Sequence, residues 1–193
     1  MTRSRRTRQS GFSMIEVMIS LLILLFGLLG LVGLMATSQR AETESYQRAQ
    51  ALLLLQDMVA RINTNRTVAP CYAITTNLAN GLPFAGVGSA APPNCGLGAV
   101  EAYRLANTDL ATWDSLLKGS AESFSGSNAG GVIGARGCIS VDAVSGIYQV
   151  SVAWQGRVPT AAPITSMSCG AGQYGDEKLR RVVSLPLQIA NLN

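Results

Sequence analysis

A long apolar run near the amino terminus constrains this chain more than any other feature. From Phe12 to Met35 there are 24 residues, and Glu16 is the only charged one. At about 1.5 Å of rise per residue, a helix of this length crosses a bilayer core of about 30 Å. A cleaved secretory signal would have a shorter apolar core of about 7–15 residues, and a simple signal anchor gives no reason for Glu16. The run predicts a membrane-spanning helix.

The charges on either side of this run predict its orientation. Four arginines precede Gly11, and without them 11 basic residues remain against 11 acidic ones. The positive-inside rule therefore keeps the leader in the cytoplasm and exports the chain that follows Met35. Because the chain without the leader is neutral, the basic overall charge gives no support for a nucleic-acid-binding surface.

Beyond Met35 the pattern becomes that of an amphipathic helix. We expect Arg48, Asp57 and Arg61 to face water. The expected apolar face consists of Ala49, Leu52, Leu53, Gln56, Val59 and Ala60. Asn63-Thr64-Asn65 and then Pro70 mark the end of this helix, and no proline interrupts residues 12–63. One helix of about 50 residues is predicted, half in lipid and half in the exported domain.

The exported domain has an α+β pattern. Segments 78–99 and 119–137 are predicted as loops, and between them Leu110, Trp113, Leu116 and Leu117 recur at helical spacing. Segments 138–143 and 147–154 predict a hairpin whose second strand has one apolar face. A last strand over residues 179–189 would lie at a sheet edge because of Pro186. The expected fold is a long helix followed by an antiparallel sheet.

The chain has four cysteines and no histidine. The lack of histidine removes Ser-His-Asp and Cys-His catalysis and the commonest zinc ligand, so no catalytic residue, metal or cofactor is predicted. An even number of cysteines behind a membrane segment indicates disulfides in an oxidising compartment. Three pairings are possible; Cys71–Cys95 and Cys138–Cys169 are favoured, because each closes a glycine-rich loop.

Residues 10–17, Ser-Gly-Phe-Ser-Met-Ile-Glu-Val, resemble the type IV prepilin motif. The resemblance implies that a prepilin peptidase cuts between Gly11 and Phe12 and methylates the new amino group of Phe12. Glu16 then becomes the fifth mature residue and pairs with the amino terminus of a neighbouring subunit during assembly. Major pilins usually carry a proline in the membrane-spanning half, whereas this chain has Gly33 in that neighbourhood.

Three further segments are similar to the PilV group of minor pilins, also described as type IV pilus modification proteins. They are residues 137–140, 152–156 and 174–183. The resemblance implies the pilin fold and four segments: a removed leader (1–11), a transmembrane and filament-core helix (12–35), its amphipathic continuation (36–65), and a periplasmic domain with disulfides (66–193). It implies an inner-membrane protein that later joins the filament at the cell surface.

This resemblance implies a structural, non-enzymatic subunit that helps to initiate the pilus or acts at its tip in adhesion and twitching motility. Its implied partners are other minor and major pilins, the prepilin peptidase and the inner-membrane assembly platform, with a single pass through the membrane before assembly. The leader is shared with type II secretion pseudopilins, so that alternative stays open. A tip module that binds a surface or DNA is the alternative of another class, although nucleic acid is not an expected partner.

Overall fold

The computed structural model describes residues 11–121, 123–124, 127–128 and 131–189. The predicted leader therefore lies almost wholly outside the described residues, as does part of the glycine-rich stretch 126–131. The chain divides into two compact units, one ending at Glu42 and the other beginning at Thr43. Two helices are described, α1 (Met14–Thr64) and α2 (Val100–Leu117), together with short 3₁₀ turns at Arg66–Tyr72 and Glu177–Leu179. The strands are β1 (Ala85–Gly86), β2 (Ser123–Phe124), β3 (Ser127–Asn128), β4 (Arg136–Val141), β5 (Tyr148–Gln155) and β6 (Arg180–Leu187).

The first unit consists of the apolar part of α1. Every large apolar side chain from Phe12 to Met35 is exposed, the least of them by 49%. Among the described residues, α1 is the helix long and apolar enough to cross a membrane. Its observed bounds confirm the single long helix that the sequence predicts.

In the second unit, α1 buries a narrow stripe that differs from the predicted one. The buried residues are Gln47, Ala51, Leu55, Met58 and Ile62, which recur every three or four positions. The predicted apolar face was wrong: Ala49, Leu52, Leu53, Gln56 and Ala60 are exposed and Val59 is only partly buried. Residues 52–55 are all leucine, so periodicity alone fits either face of the helix.

Four strands form an antiparallel sheet in the order β1-β4-β5-β6. The predicted hairpin is β4 and β5, and its turn is closed by a hydrogen bond from the Gly146 amide to the Asp142 carbonyl (2.8 Å). The predicted last strand is β6, which lies at the sheet edge with Pro186 opposite Gln149. A proline is tolerated there because an edge strand can leave one side without hydrogen bonds. The sheet packs against α1 and α2, so the fold is α+β as predicted and is consistent with a type IV pilin.

The sheet is covered on both faces, which the sequence did not predict. Tyr148, Val150, Val152 and Trp154 of β5 point into the main core with α1 and α2, as expected. On the opposite face, Ala153 is also fully buried, in a second cluster with Cys169 and Tyr174. The segment that follows β5 therefore folds back over a face that alternation alone would leave in water.

Helix α2 is longer than the predicted segment. It begins at Val100, and Ala99 before it provides no side-chain cap, so the sequence carries no start signal there. Its end agrees with the prediction, since Gly119 has a φ of +83° just beyond the last turn. Trp113 Nε1 donates to the carbonyl of Leu54 (2.9 Å) and so ties α2 to α1. The predicted loops contain three two-residue strands, β1, β2 and β3.

Candidate processing and assembly site

The amino-terminal motif lies at the start of α1. Gly11, Phe12 and Ser13 precede the first helical residue, Met14. The amide of Glu16 lies 3.3 Å from Ser13 Oγ and 3.1 Å from the Ser13 carbonyl oxygen, so Ser13 caps the helix. Ser-x-x-Glu is the pattern of a capping box, a signal in the sequence that our sequence reasoning did not use.

The bond between Gly11 and Phe12 lies outside the helix. Among the described residues, no atom lies within 4 Å of the position that a Cβ on Gly11 would occupy, and Phe12 is 84% exposed. Backbone that is accessible and not helical is what a peptidase can bind, whereas a bond inside a helix would first have to unwind. Cleavage at this bond stays a prediction.

Glu16 is an exposed acid on an otherwise apolar surface. It lies in the first turn of α1, where the helix dipole favours a negative charge. None of the ion pairs found in the described part of the chain involves Glu16. A carboxylate near the membrane face can reach water, so its cost is lower than at the bilayer centre. Within residues 11–189 as the structure describes them, this charge is therefore not used in an ion pair.

The outer side of α1 in the second unit is also apolar and exposed. Tyr46 is 57% and Leu53 58% exposed, and the exposed Ala49 lies between them. These positions are three and four residues apart, so they lie on one side of the helix. The domain's own core does not cover this side.

The structure joins the four cysteines in two disulfides. Cys71 bonds Cys95, which connects the turn after α1 to the segment before α2, with Cα atoms 5.4 Å apart. Cys138 bonds Cys169, which holds the segment after β5 against β4, with Cα atoms 5.7 Å apart. On the chain-entropy account each bond stabilises the fold by about 3–4 kcal/mol. Both are placed where they restrain loops.

Asp176 and Glu177, adjacent in the chain just before β6, both have structural contacts. Asp176 Oδ1 accepts from the Lys178 amide (2.9 Å) and caps a short 3₁₀ turn. Glu177 accepts from the Gly172 amide (2.7 Å) and from Arg180 Nε (2.6 Å). Burial raises the pKa of Glu177, but these two donors outweigh it and hold the pKa below its ordinary value. Both carboxylates therefore have a structural role, since their hydrogen bonds hold the segment before β6 in place.

Metal binding has no support in the parts of the chain that the structure describes, where no three metal-ligating side chains cluster. Trp113 and Trp154 are core residues, 0% and 4% exposed.

Residues 6–32 match the Prokaryotic N-terminal methylation motif. The match covers the predicted cleavage site, Glu16 and most of the apolar run. Comparison with curated proteins and with solved structures gives no match. The motif and the α+β fold together support a type IV pilin-like or pseudopilin-like protein, structural in character and anchored in a membrane by α1. They imply a substrate of the prepilin peptidase and partners in pilus assembly.

Proposed function

We propose that this chain is a minor pilin of the type IV pilus, most similar to the PilV group, that takes part in starting the filament or in forming its tip. The observation that carries the proposal is the methylation motif at residues 6–32 leading directly into an exposed apolar helix surface. A helix that serves only as a membrane anchor needs the apolar run and nothing more. The motif adds a processing site and a charged residue, which a plain membrane anchor does not require.

In this proposal the chain has four segments. Residues 1–11 are the leader, which the prepilin peptidase removes on the cytoplasmic side. Residues 12–35 span the inner membrane and later enter the filament core, residues 36–65 continue the helix, and residues 66–193 form the periplasmic domain. The subunit then leaves the bilayer through the assembly platform and reaches the cell surface within the filament.

Glu16 sets the axial register of the subunit in this proposal. Cleavage frees a positively charged amino group on Phe12, and the carboxylate of Glu16 pairs with that group on a neighbouring subunit. Two opposite charges 4 Å apart at an effective dielectric constant of about 20 attract by about 4 kcal/mol. Glu16 is the only charged residue from Phe12 to Met35, so no other charge in this run competes for the pairing.

The exposed outer side of α1 in the second unit supports the same role. Tyr46, Ala49 and Leu53 form a separate exposed apolar surface on the part of α1 that belongs to the second unit. A helix of another pilin can bury this side without displacing anything from the domain core, because the core uses the stripe from Gln47 to Ile62.

The amino terminus of the mature protein tests the processing step. We expect mass spectrometry of protein from cells with the prepilin peptidase to find a chain that begins at N-methylated Phe12. In cells without the peptidase, the leader should remain attached. A mature chain that begins at another residue would refute the proposal.

The role of Glu16 is tested by Glu16→Ala. We expect export and cleavage to be unchanged, while the amount recovered in sheared filaments falls at least tenfold, because the charge pair is lost. Glu42→Ala is the matched control, since Glu42 is an exposed glutamate on the same helix but outside the motif. If Glu16→Ala and the wild type are recovered in sheared filaments in equal amounts, Glu16 does not have this role in assembly.

A pseudopilin of a type II secretion system would share the motif, the anchor and the fold. The same fractionation separates the two functions, because a minor pilin co-purifies with sheared pili and a pseudopilin does not. A tip module that binds DNA is disfavoured by the neutral charge of the mature chain, since non-specific DNA affinity comes chiefly from neutralised phosphates.

A further inference from the structure

The sheet has an outer face, opposite the main core, that the rest of the chain covers only in part. Residues directly opposite each other on neighbouring strands have side chains on the same face. Arg136, Ala153 and Val182 form one such row across β4, β5 and β6 on the outer face. Ala153 and Val182 pack in the second cluster, with Cys169 and Tyr174 of the segment that follows β5. The outer row nearest the β4–β5 turn lies outside this cluster.

This row near the turn carries polar side chains. Ser140, Gln149 and Pro186 lie side by side in it, and each is half-buried or exposed. Ser151 and Ser184 lie opposite each other in the next row. Gln149 Nε2 donates to Ser184 Oγ (2.9 Å), and the hydroxyl oxygens of Ser151 and Ser184 lie 2.7 Å apart. These hydrogen bonds hold the polar side chains in fixed positions on the strands.

A cleft of about 490 Å³, the serine cleft, lies over this part of the outer face. Cys138 and Cys169 line it, and their disulfide ties the segment after β5 against β4. Leu78 and Ile147 also line it and are 55% and 37% exposed, so the cleft opens to solvent. Its size is within the range of about 300–1,000 Å³ that is typical of ligand sites. Six of the lining residues carry a hydroxyl group: Thr75, Ser140, Ser145, Ser151, Ser166 and Ser168.

The charge of the serine cleft limits the ligands that it can bind. Among its described lining residues, Asp142 is the one that carries a charge. Hydrogen bonds from the amides of Ser145 and Val144 (2.8 Å each) lower the pKa of Asp142, so its carboxylate is ionised at neutral pH. A phosphate, sulfate or carboxylate group would meet this negative charge without a compensating cation, which disfavours acidic ligands.

The hydroxyl groups of the cleft are available to an uncharged polar ligand. Within the described part of the chain, the hydroxyls of Ser140, Ser166 and Ser168 make no hydrogen bond. Each serine hydroxyl can donate one hydrogen bond and accept others, which matches a ligand that also carries hydroxyl groups. Ile147 and Pro186 add an apolar surface for the C–H groups of such a ligand.

We propose that the serine cleft binds an uncharged sugar unit of a surface glycan. The free serine hydroxyls exchange hydrogen bonds with the sugar hydroxyls, and the carboxylate of Asp142 accepts from them. Because the disulfide and the strands fix the cleft walls, little ordering is needed on binding. The inference goes beyond the proposed function and rests on it only for bringing the cleft to the cell surface.

An array of immobilised glycans tests this site, with the purified full chain in a detergent whose headgroup is not a sugar. The array pairs each neutral glycan with its sialylated or sulfated counterpart. We expect the chain to bind at least one neutral glycan and to bind its acidic counterpart about tenfold more weakly, because Asp142 repels the added charge. Asp142→Asn should narrow that difference. Asp176→Asn, which changes an exposed aspartate outside the cleft, should leave it as it is.

Two neighbouring substitutions test the position of the site. Ser166 and Thr165 are both exposed, but only Ser166 lines the cleft. Ser166→Tyr should lower neutral-glycan binding at least about tenfold because the ring fills the cleft, whereas Thr165→Tyr should leave it unchanged. Ser140→Ala removes a single oxygen atom and keeps the test valid if the tyrosine disturbs its loop. It should lower binding roughly two- to tenfold through the loss of one hydrogen bond.

Three results would each overturn the proposal. They are a wild-type chain that binds no neutral glycan, equal binding of neutral and acidic counterparts, and equal binding by Ser166→Tyr and Thr165→Tyr. Sheared filaments judge the proposed function separately. A chain that enters filaments but binds no neutral glycan would refute only the sugar site, whereas a chain that binds the glycan but is absent from pili would refute only the proposed function.

Discussion

The hydroxyl of Tyr72 is the most informative single group to remove from the domain. Tyr72 is fully buried, and its Oη donates to Asp109 Oδ2 (2.6 Å) while it accepts from Asn65 Nδ2 (3.1 Å). The other oxygen of Asp109 accepts from Arg61 Nη1 (2.8 Å), which joins α1, the turn after it and α2 in one network. Asp109 is 6% exposed, so water cannot easily replace a lost donor.

Tyr72→Phe removes one hydrogen bond to a buried carboxylate and leaves the aromatic packing in place. Hydrogen bonds to charged groups contribute about 1.5–3 kcal/mol, so we expect the domain to lose about 2 kcal/mol of unfolding free energy. At a denaturant slope of about 2 kcal/mol per molar urea, the midpoint falls by about 1 M. Tyr148→Phe is the control, because Tyr148 is buried but its hydroxyl has no hydrogen bond in the described residues.

Tryptophan fluorescence of the full chain in detergent measures this loss. The chain has two tryptophans, Trp113 and Trp154, and both are buried in the second unit, so the signal reports the domain and not the membrane-spanning residues. A midpoint for Tyr72→Phe within error of wild type, or equal to that of Tyr148→Phe, would refute the reasoning. If the reasoning holds, a double-mutant cycle of Tyr72→Phe and Asp109→Asn should show a coupling free energy of at least about 1 kcal/mol between the two side chains.

The pH dependence offers an independent readout of the same group. Burial first, and then the hydrogen bond to Asp109, raise the pKa of Tyr72 above the ordinary tyrosine value. A raised pKa in the folded state means that its stabilising contribution is complete below the ordinary value of about 10 and declines as the pH rises above it. The stability difference between wild type and Tyr72→Phe should therefore narrow above pH 10.

Two further substitutions test the packing and the loop. In Gly137→Ala the new Cβ would overlap the ring of Trp113 and come within 2.7 Å of Leu117 Cδ1, so we expect a loss of about 1–3 kcal/mol in the same fluorescence assay. Gly96→Ala is the control, because no atom of the described residues lies within 4 Å of the new Cβ there. Equal unfolding free energies of the Gly137→Ala and Gly96→Ala variants would contradict the packing argument. Glu177→Gln should lower the melting temperature at pH 7, and this difference should shrink as the pH falls below the ordinary glutamate range. The reason is that a carboxyl group with a lowered folded-state pKa stabilises the fold above its unfolded pKa and loses that contribution as the pH falls through the folded one. A difference that persists unchanged at pH 3 would show that charge is not the cause.

Local patterns were sufficient for the elements whose signals are local. The span of α1 follows from an apolar run without proline, and the β4–β5 hairpin follows from alternation around a glycine turn. The two cysteine pairs of the structure are also those that close neighbouring loops. In each case the residues that decide the element are close together in the sequence.

The features that sequence reasoning missed depend on partners far away in the chain. Four consecutive leucines, residues 52–55, could not show which side of α1 the sheet would cover. The network around Tyr72 joins residues up to 48 positions apart, and Arg136 meets aromatic rings from two separate loops. A buried Ala153 likewise depends on a later segment that folds back over the sheet.

The wrongly assigned face of α1 bears directly on how the proposed assembly could work. Lipid tails are as apolar as leucine, so the hydrophobic effect gives little drive for moving a helix from the bilayer into a bundle of helices. That drive does exist for Leu53 and Tyr46, which are exposed in the second unit outside the apolar run. In the proposed filament, burial of this water-exposed side would supply the free energy, while Glu16 would select the register. The two contributions can be separated by mutation. Leu53→Ser should lower the amount of the subunit in filaments without changing its axial register. Glu16→Ala should instead remove the charge that selects this register.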